Sequence, residues 1–279
     1  MSTPISFEVY PPRNPESAPA LYEAIDVLGE LGPKFISVTF GAGGTDTSGS
    51  IEVLKYINEN TSAVALAHLT CAGTSKTELD SVIGEFLQAG ITDFLALRGD
   101  LPIGLSELPT DSLKTANELV SLIRSSAKDR AKQIAVAAFP NGHPESGANR
   151  ADLVALRAKQ DAGADFAITQ LFFYASDYFN FVTLAREAGV TIPIIPGIMP
   201  IISHKRLARV LELTGEREPV ELAASLAAAQ DASERTEIGI SWAANLVAEL
   251  SQGGAPGIHL YAFNEHKNVS EVLRRAQLV

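Results

Sequence analysis

Short apolar runs alternate with segments of helical spacing through most of this 279-residue chain, and that alternation restricts the folds open to it. The first run, Ile5-Ser6-Phe7-Glu8-Val9-Tyr10, stops at Pro11-Pro12, and residues 17–30 then carry Leu21, Ile25 and Leu28 on one helix face. Further strands are predicted at 35–40, 63–70, 93–99, 134–139, 166–172, 192–198 and 257–263, which with the first makes eight. The clearest helices between them are 76–88, 115–125, 152–162 and 177–188; Gly90, Gly163 and Gly189 follow the ends of three. Residues 207–213, 220–229 and 234–250 read as three more helices between strands seven and eight, the first a crossover helix and the second an extra. Nearly continuous apolar strands belong to a parallel sheet covered on both faces. Eight βα units without a linker or a change in composition predict the α/β class, as a (β/α)8 TIM barrel spanning 1–279 as a single domain. An open doubly wound sheet would put a Gly-x-Gly-x-x-Gly turn after strand one, where this chain has Tyr10-Pro11-Pro12-Arg13. Its glycine-rich turn, Gly41-Ala42-Gly43-Gly44, follows strand two.

The formal net charge of -11 disfavours nucleic acid and anionic membrane as partners. A lone cysteine, Cys71, allows no internal disulfide, and the first residues lack the basic and apolar pattern of a signal peptide. The most apolar stretch, 192–202, is interrupted by Pro193, Pro196 and Pro200, so no membrane span is expected and a cytoplasmic location is. His68, His143, His204, His259 and His266 show no metal-binding spacing, and no Gly-x-Ser-x-Gly motif marks a serine hydrolase.

In a parallel barrel the C-terminal ends of the strands meet at one mouth, where chemistry is done. Those ends supply Glu8, Thr39, His68, Arg98 with Asp100, His143 just past strand five, and Gln170. Glu8 sits between Phe7 and Val9, and an ionised carboxylate buried there without a partner costs several kcal/mol, which favours the protonated acid. Asp100, in a more polar loop, is expected to stay ionised, so the two could divide acid and electrostatic roles. A solvated rim position for Glu8, or a structural pairing with Arg13 or Lys34, is the alternative, and His68 taken alone reads more readily as a core histidine, with its position at the mouth arguing for the site.

Seven blocks carry a further signal: residues 7–13 (FEVYPPR), 37–44 (SVTFGAGG), 68–71 (HLTC), 96–100 (ALRGD), 143–145 (HPE), 162–170 (AGADFAITQ) and 195–200 (IPGIMP). Taken in order across the chain, with Tyr261 in strand eight, they resemble bacterial methylenetetrahydrofolate reductase. The resemblance implies a barrel enzyme that binds FAD noncovalently across its mouth. It implies a hydride taken from NADH or NADPH and passed to 5,10-methylenetetrahydrofolate. By position, Glu8 matches the general acid, Asp100 a carboxylate near flavin and pterin, and Gln170 an amide that reads the pterin or nicotinamide. Thr39, Phe40, Ala42, His68, Arg98, Gly99, Asp100, Ala116, Phe139, His143, Asp152 and Lys159 match flavin or nicotinamide contacts, with Arg98 and Lys159 suited to an anionic dinucleotide. The expected partners are therefore the folate and the nicotinamide dinucleotide, with no nucleic acid or membrane; a homo-oligomer is compatible with this reading.

The chain departs from the family pattern at Thr115, where a tyrosine is common, and at Ala155 and Ala158, which replace polar contacts to the dinucleotide. Glu265 replaces a basic residue thought to meet the folate's glutamate tail, and Val210 a phenylalanine on the crossover helix. Two alternatives share the barrel: a flavin-independent reductase of the same substrate and a pteridine-dependent methyltransferase.

Overall fold

A computed structural model of the chain describes residues 3–12, 14–39, 47–100, 108–143 and 149–279. Among these, nine parallel strands form one sheet: β1 (Ile5–Val9), β2 (Phe35–Val38), β3 (Val64–Thr70), β4 (Asp93–Leu97), β5 (Ile134–Ala138), β6 (Phe166–Thr169), β7 (Ile194–Ile195), β8 (Gly197–Ile198) and β9 (Ile258–Tyr261). Nine strands amount to eight staves. β7 and β8 are the halves of one predicted strand, divided at Pro196, which has no N–H to give to a ladder. β7 pairs with β6 and β8 with β9, while β9 pairs with β1, so the interrupted stave closes the barrel.

The helices are α1 (Ala18–Glu30), α2 (Ser48–Asn60), α3 (Lys76–Gln88), α4 (Ala116–Ala127), α5 (Asn149–Asp161), α6 (Ala175–Glu187), α7 (His204–Thr214), α8 (Val220–Ala228), α9 (Ala232–Gln252) and α10 (His266–Arg275). Their starts follow local chemistry. Ser75 and Glu78 form a reciprocal capping box at α3, as do Thr115 and Glu118 at α4. Gly90, Gly163 and Gly189 have positive φ after α3, α5 and α6, in keeping with the helix stops read from the sequence.

Strand alternation divides the apolar residues between two layers. Phe7, Val9, Ile36, Ala65, Ala67, Phe94 and Val136 pack outward into the layer shared with the helices. Phe35, Leu66, Leu95, Ala135, Phe166 and Ile168 form the separate cluster inside the barrel. On β1 the inward residues are Ser6 and Glu8, so both polar side chains are directed into the barrel rather than to the surface. A third cluster, of Leu171, Phe173, Ile201, Leu207, Val210, Leu222 and Leu226, joins the segment after β6 to α7 and α8. This cluster fixes α7 beside the mouth.

Among the described residues no helix is long and apolar enough to cross a membrane, and no group of His, Cys, Asp or Glu is placed to hold a metal ion.

Candidate active site

A cavity of about 790 Å³ opens at the C-terminal ends of the strands. Glu8 and His68 lie on its wall, with Thr39, Gln170 and Tyr261. Apolar surface comes from Leu95, Leu97, Ala137, Phe139 and Ile168. Large apolar area with a few convergent polar groups is the usual make-up of a small-molecule site.

Glu8 is 8% exposed, and its Oε2 lies 3.5 Å from Nε2 of His68 and 3.9 Å from Nε2 of His259. Both ring nitrogens are buried, and neither makes a hydrogen bond among the described residues. Strand register accounts for the meeting of these three groups. Glu8 is the Cα partner of Tyr261, and Ser6 that of His259, one layer deeper on the same pair of strands. Nδ1 of His259 lies 2.9 Å from the Ser6 hydroxyl, its ring stacks on Phe35 at 5.6 Å, and Tyr261 meets it edge-on at 5.2 Å. The imidazole is thereby held with Nε2 towards Glu8. Burial lowers the pKa of His68, the Glu8 charge opposing and His259 reinforcing the shift, so His68 favours the neutral ring. Burial and then the Glu8 charge push Tyr261 well above the usual phenol range, so its hydroxyl stays protonated and donates to the Thr169 carbonyl at 2.7 Å.

The pairing of Glu8 with Lys34 is not what the structure shows. Its neighbours are histidines because residue 8 faces the barrel interior, while Arg13 lies outside the described residues. Sequence reasoning also missed Ser6 and His259. The available signal was a histidine within the apolar run of strand eight, but its partnership with Ser6 requires the register.

Gln170 follows β6 and its Oε1 accepts from the Leu171 N–H at 2.9 Å, which leaves the amide NH2 as the group to offer a ligand. Phe139, His143, Asp152 and Lys159 make one assembly behind the cavity wall. Asp152 Oδ2 accepts from the His143 N–H at 3.0 Å, and the His143 ring meets Phe139 edge-on at 4.6 Å. Lys159 Nζ donates to the Ala137 carbonyl at 2.8 Å and stands 5.8 Å from the centre of the Phe139 ring. Burial lowers the Lys159 ammonium to about 8, against the pull of the Asp152 charge.

Arg98 and Asp100 do not line this cavity. β4 ends at Leu97, Gly99 turns with φ of 77°, and Asp100 is exposed beyond it at the same end of the barrel. A Cβ on Gly99 would come within 2.9 Å of Thr70, so this turn needs glycine for space as well as for φ. Ala116 is buried at the start of α4, while Phe40 and Ala42 lie outside the described residues.

After β9, Phe263 and Asn264 both adopt left-handed backbone, with φ of 49° and 64°. Such a conformation is costly for a side chain like phenylalanine and persists where surrounding contacts enforce it. Here Asn264 supplies them: its Oδ1 accepts from the Tyr10 N–H and its Nδ2 donates to the Tyr10 carbonyl, each at 2.9 Å. Phe263 is thereby held on the cavity wall, stacked on Tyr261.

A family model described as methylenetetrahydrofolate reductase matches residues 1–277. The 5,10-methylenetetrahydrofolate reductase of Escherichia coli (strain K12) is 36% identical over 261 residues, which cover 93% of this chain and 86% of the relative. Methylenetetrahydrofolate reductase (NADH) 1 of Arabidopsis thaliana is 32% identical, covering 99% of this chain and 49% of its own length. Among solved structures, an uncharacterized protein from Clostridium thermocellum that binds two copies of 5-methyl-5,6,7,8-tetrahydrofolic acid superposes with a TM-score of 0.65 at 15% identity, covering 99% of this chain and 94% of that one. At that identity the likeness establishes the shared fold.

Proposed function

Since the chain belongs to the methylenetetrahydrofolate reductase family, we propose that it takes hydride from NADH or NADPH through bound FAD and reduces 5,10-methylenetetrahydrofolate to 5-methyltetrahydrofolate. The observation that carries this reading is the buried Glu8 carboxyl at an apolar cavity, faced by two histidine nitrogens that have no other partner among the described residues. The reading takes the barrel as a single catalytic unit.

Glu8 gives a proton to a ring nitrogen of the folate, which helps the five-membered ring open to an iminium that accepts hydride. When the Ser6 hydroxyl donates to the Ile258 carbonyl, at 3.3 Å, its oxygen accepts from Nδ1–H of His259. That tautomer leaves the lone pair of Nε2 facing Glu8. His68, kept neutral by burial, adds no competing cation beside the carboxyl. Asp100, on the lip outside the cavity wall, favours the developing cation through its field rather than by contact. Gln170 presents its NH2 to the pterin. Gln170→Glu should raise the folate KM by about tenfold or more, because a donor is replaced by an acceptor-only carboxylate. Steady-state kinetics check this, and an unchanged KM would remove Gln170 from the folate site.

The residues present fit a flavin. Leu95, Leu97, Ala137 and Phe139 offer an apolar wall to a flat ring, and the Lys159 ammonium beneath it has a backbone carbonyl as its hydrogen-bond acceptor. Thr39, His68, Arg98, Gly99, Ala116, His143 and Asp152 are the further described positions that would hold FAD. When bound, FAD supplies the two-electron relay between nicotinamide and folate. Ala155 and Ala158 provide no side-chain hydrogen bonds, and a hydrogen bond to a charged group is typically worth about 1.5 to 3 kcal/mol. FAD should consequently be held loosely, and purified protein should carry less than one equivalent. Added FAD should raise both activity and melting temperature, since a ligand that binds only the folded state stabilises it. Affinity should fall as pH rises through about 8, where Lys159 loses the positive charge it would offer an anionic cofactor. Full NADH-dependent activity in flavin-free protein, with no response to FAD, would exclude the flavin relay and leave the reduction itself standing.

A further inference from the structure

The last turn of α7 forms part of the cavity wall but is poorly covered by the rest of the chain. Leu213 and Thr214 line the cavity, yet Leu213 is 60% exposed, whereas Leu207 and Val210 are buried in the cluster with Leu222 and Leu226. Apolar packing therefore secures the start and middle of α7 and leaves its end to polar contacts. The helix stops at Gly215, which is left-handed with φ of 68° and whose N–H donates to the Leu211 carbonyl at 2.9 Å. Glu216 follows, and its N–H donates to Thr214 Oγ1 at 3.2 Å. Its side chain thus departs from a fixed point on the helix end.

Asn141 lies on the turn after β5, between Phe139 of the cavity wall and His143. Gly142 closes this turn, with φ of 93° and its N–H donating to the Phe139 carbonyl at 3.2 Å. The Asn141 NH2 donates to Glu216 Oε2 at 2.7 Å and to Asp177 Oδ2, in the first turn of α6, at 3.2 Å. An amide has two such hydrogens, so one neutral group serves two carboxylates that would otherwise repel each other. Burial raises the pKa of Glu216; the Asn141 hydrogen bond opposes the shift, the Asp177 charge adds to it, and Arg217 opposes it. From α8, Glu221 is engaged separately, accepting from the Tyr174 hydroxyl at 2.6 Å.

We infer that Asn141 is a positioning residue, whose amide ties the turn after β5 to the end of α7 and so sets the wall that Leu213 and Thr214 give to the cavity. Asn141 does not itself line the cavity, so it acts on a ligand only through that helix. Its effect on folate rests on the reductase reading proposed above, while its effect on α7 does not.

Asn141→Asp tests this, because it removes the donor and sets three carboxylates together. In the FAD-loaded protein at about pH 8, amide hydrogen exchange from Leu213 to Glu216 should be roughly three- to tenfold faster than in the parent, and the calorimetric Kd for 5-methyltetrahydrofolate should rise by a similar factor. Relative to the parent at the same pH, both defects should fade towards about pH 5, where one carboxyl takes up a proton and becomes a donor. Asn141→Asp combined with Glu216→Gln interchanges acid and amide while keeping the number of each, and should restore both exchange and Kd. Melting temperatures show that the variants fold. Parent-like exchange in Asn141→Asp across this range would overturn the inference, and so would a failure of the interchange to restore it. Faster exchange with an unchanged Kd would confine Asn141 to local stability and overturn its positioning role. A parent that neither binds nor reduces folate would defeat the reductase reading alone, since the exchange comparison decides the tie to α7 by itself.

Discussion

Glu8→Gln should lower the rate of methylenetetrahydrofolate reduction by about 10²- to 10⁴-fold, the usual contribution of a positioned general acid. The substitution keeps the shape of the side chain beside His68 and His259 and removes the proton that the folate nitrogen requires. Reduction of bound flavin by NADH needs no proton from this residue, so that half-reaction should continue at close to the parent rate. Rapid-mixing measurements of the two half-reactions separate these effects. Loss in both half-reactions to the same degree would indicate a damaged site rather than a missing acid. Near-normal folate reduction would show that another group donates the proton.

Gly197→Ala should destabilise the barrel by about 2 to 4 kcal/mol, combining overpacking with the loss of a buried hydrogen bond. Gly197 begins β8, the half-stave that completes closure, and its N–H donates to Thr169 Oγ1 at 2.9 Å. A Cβ at this position would lie 2.4 Å from the Thr169 carbonyl oxygen and 2.8 Å from the Tyr261 hydroxyl. The hydrogen bond between those two groups would be forced apart. For a domain of this size the melting temperature should fall by roughly 5 to 15 °C. Residual folded protein should also bind folate less well, because Gln170 directly follows Thr169 and Tyr261 lines the cavity. An unchanged melting temperature would contradict the tight closure.

The strands were readable because each is buried on both faces and therefore spelt as an apolar run. Their ends were less so. The run at 166–172 continues past the end of β6 at Thr169 because Leu171 and Phe172 remain buried, Leu171 in the cluster under α7 and Phe172 in the outer layer. The run at 192–198 gives no hint of how Pro196 divides the ladder between two neighbours. Two helices escaped notice for different reasons. α2 opens with Ser48-Gly49-Ser50 and lacks a side-chain cap, while α10 has only Val269, Val272 and Leu273 buried among polar residues. Glu8, Thr39, His68 and Gln170 were found because strand ends point into the mouth, and the structure places all four on one cavity. Ser6 and His259 were missed because they lie one layer below the strand ends. Lys205 and Arg206, which line the cavity from the first turn of α7, were missed because the predicted crossover helix began at 207, after the turn that Ser203 caps.

An anaerobic titration of the FAD-loaded protein tests the central claim most directly. NADH should bleach the flavin absorbance, and 5,10-methylenetetrahydrofolate added afterwards, once NADH is exhausted, should restore it with formation of one equivalent of 5-methyltetrahydrofolate for each flavin reoxidised. Flavin that NADH bleaches but the folate fails to reoxidise would contradict the account.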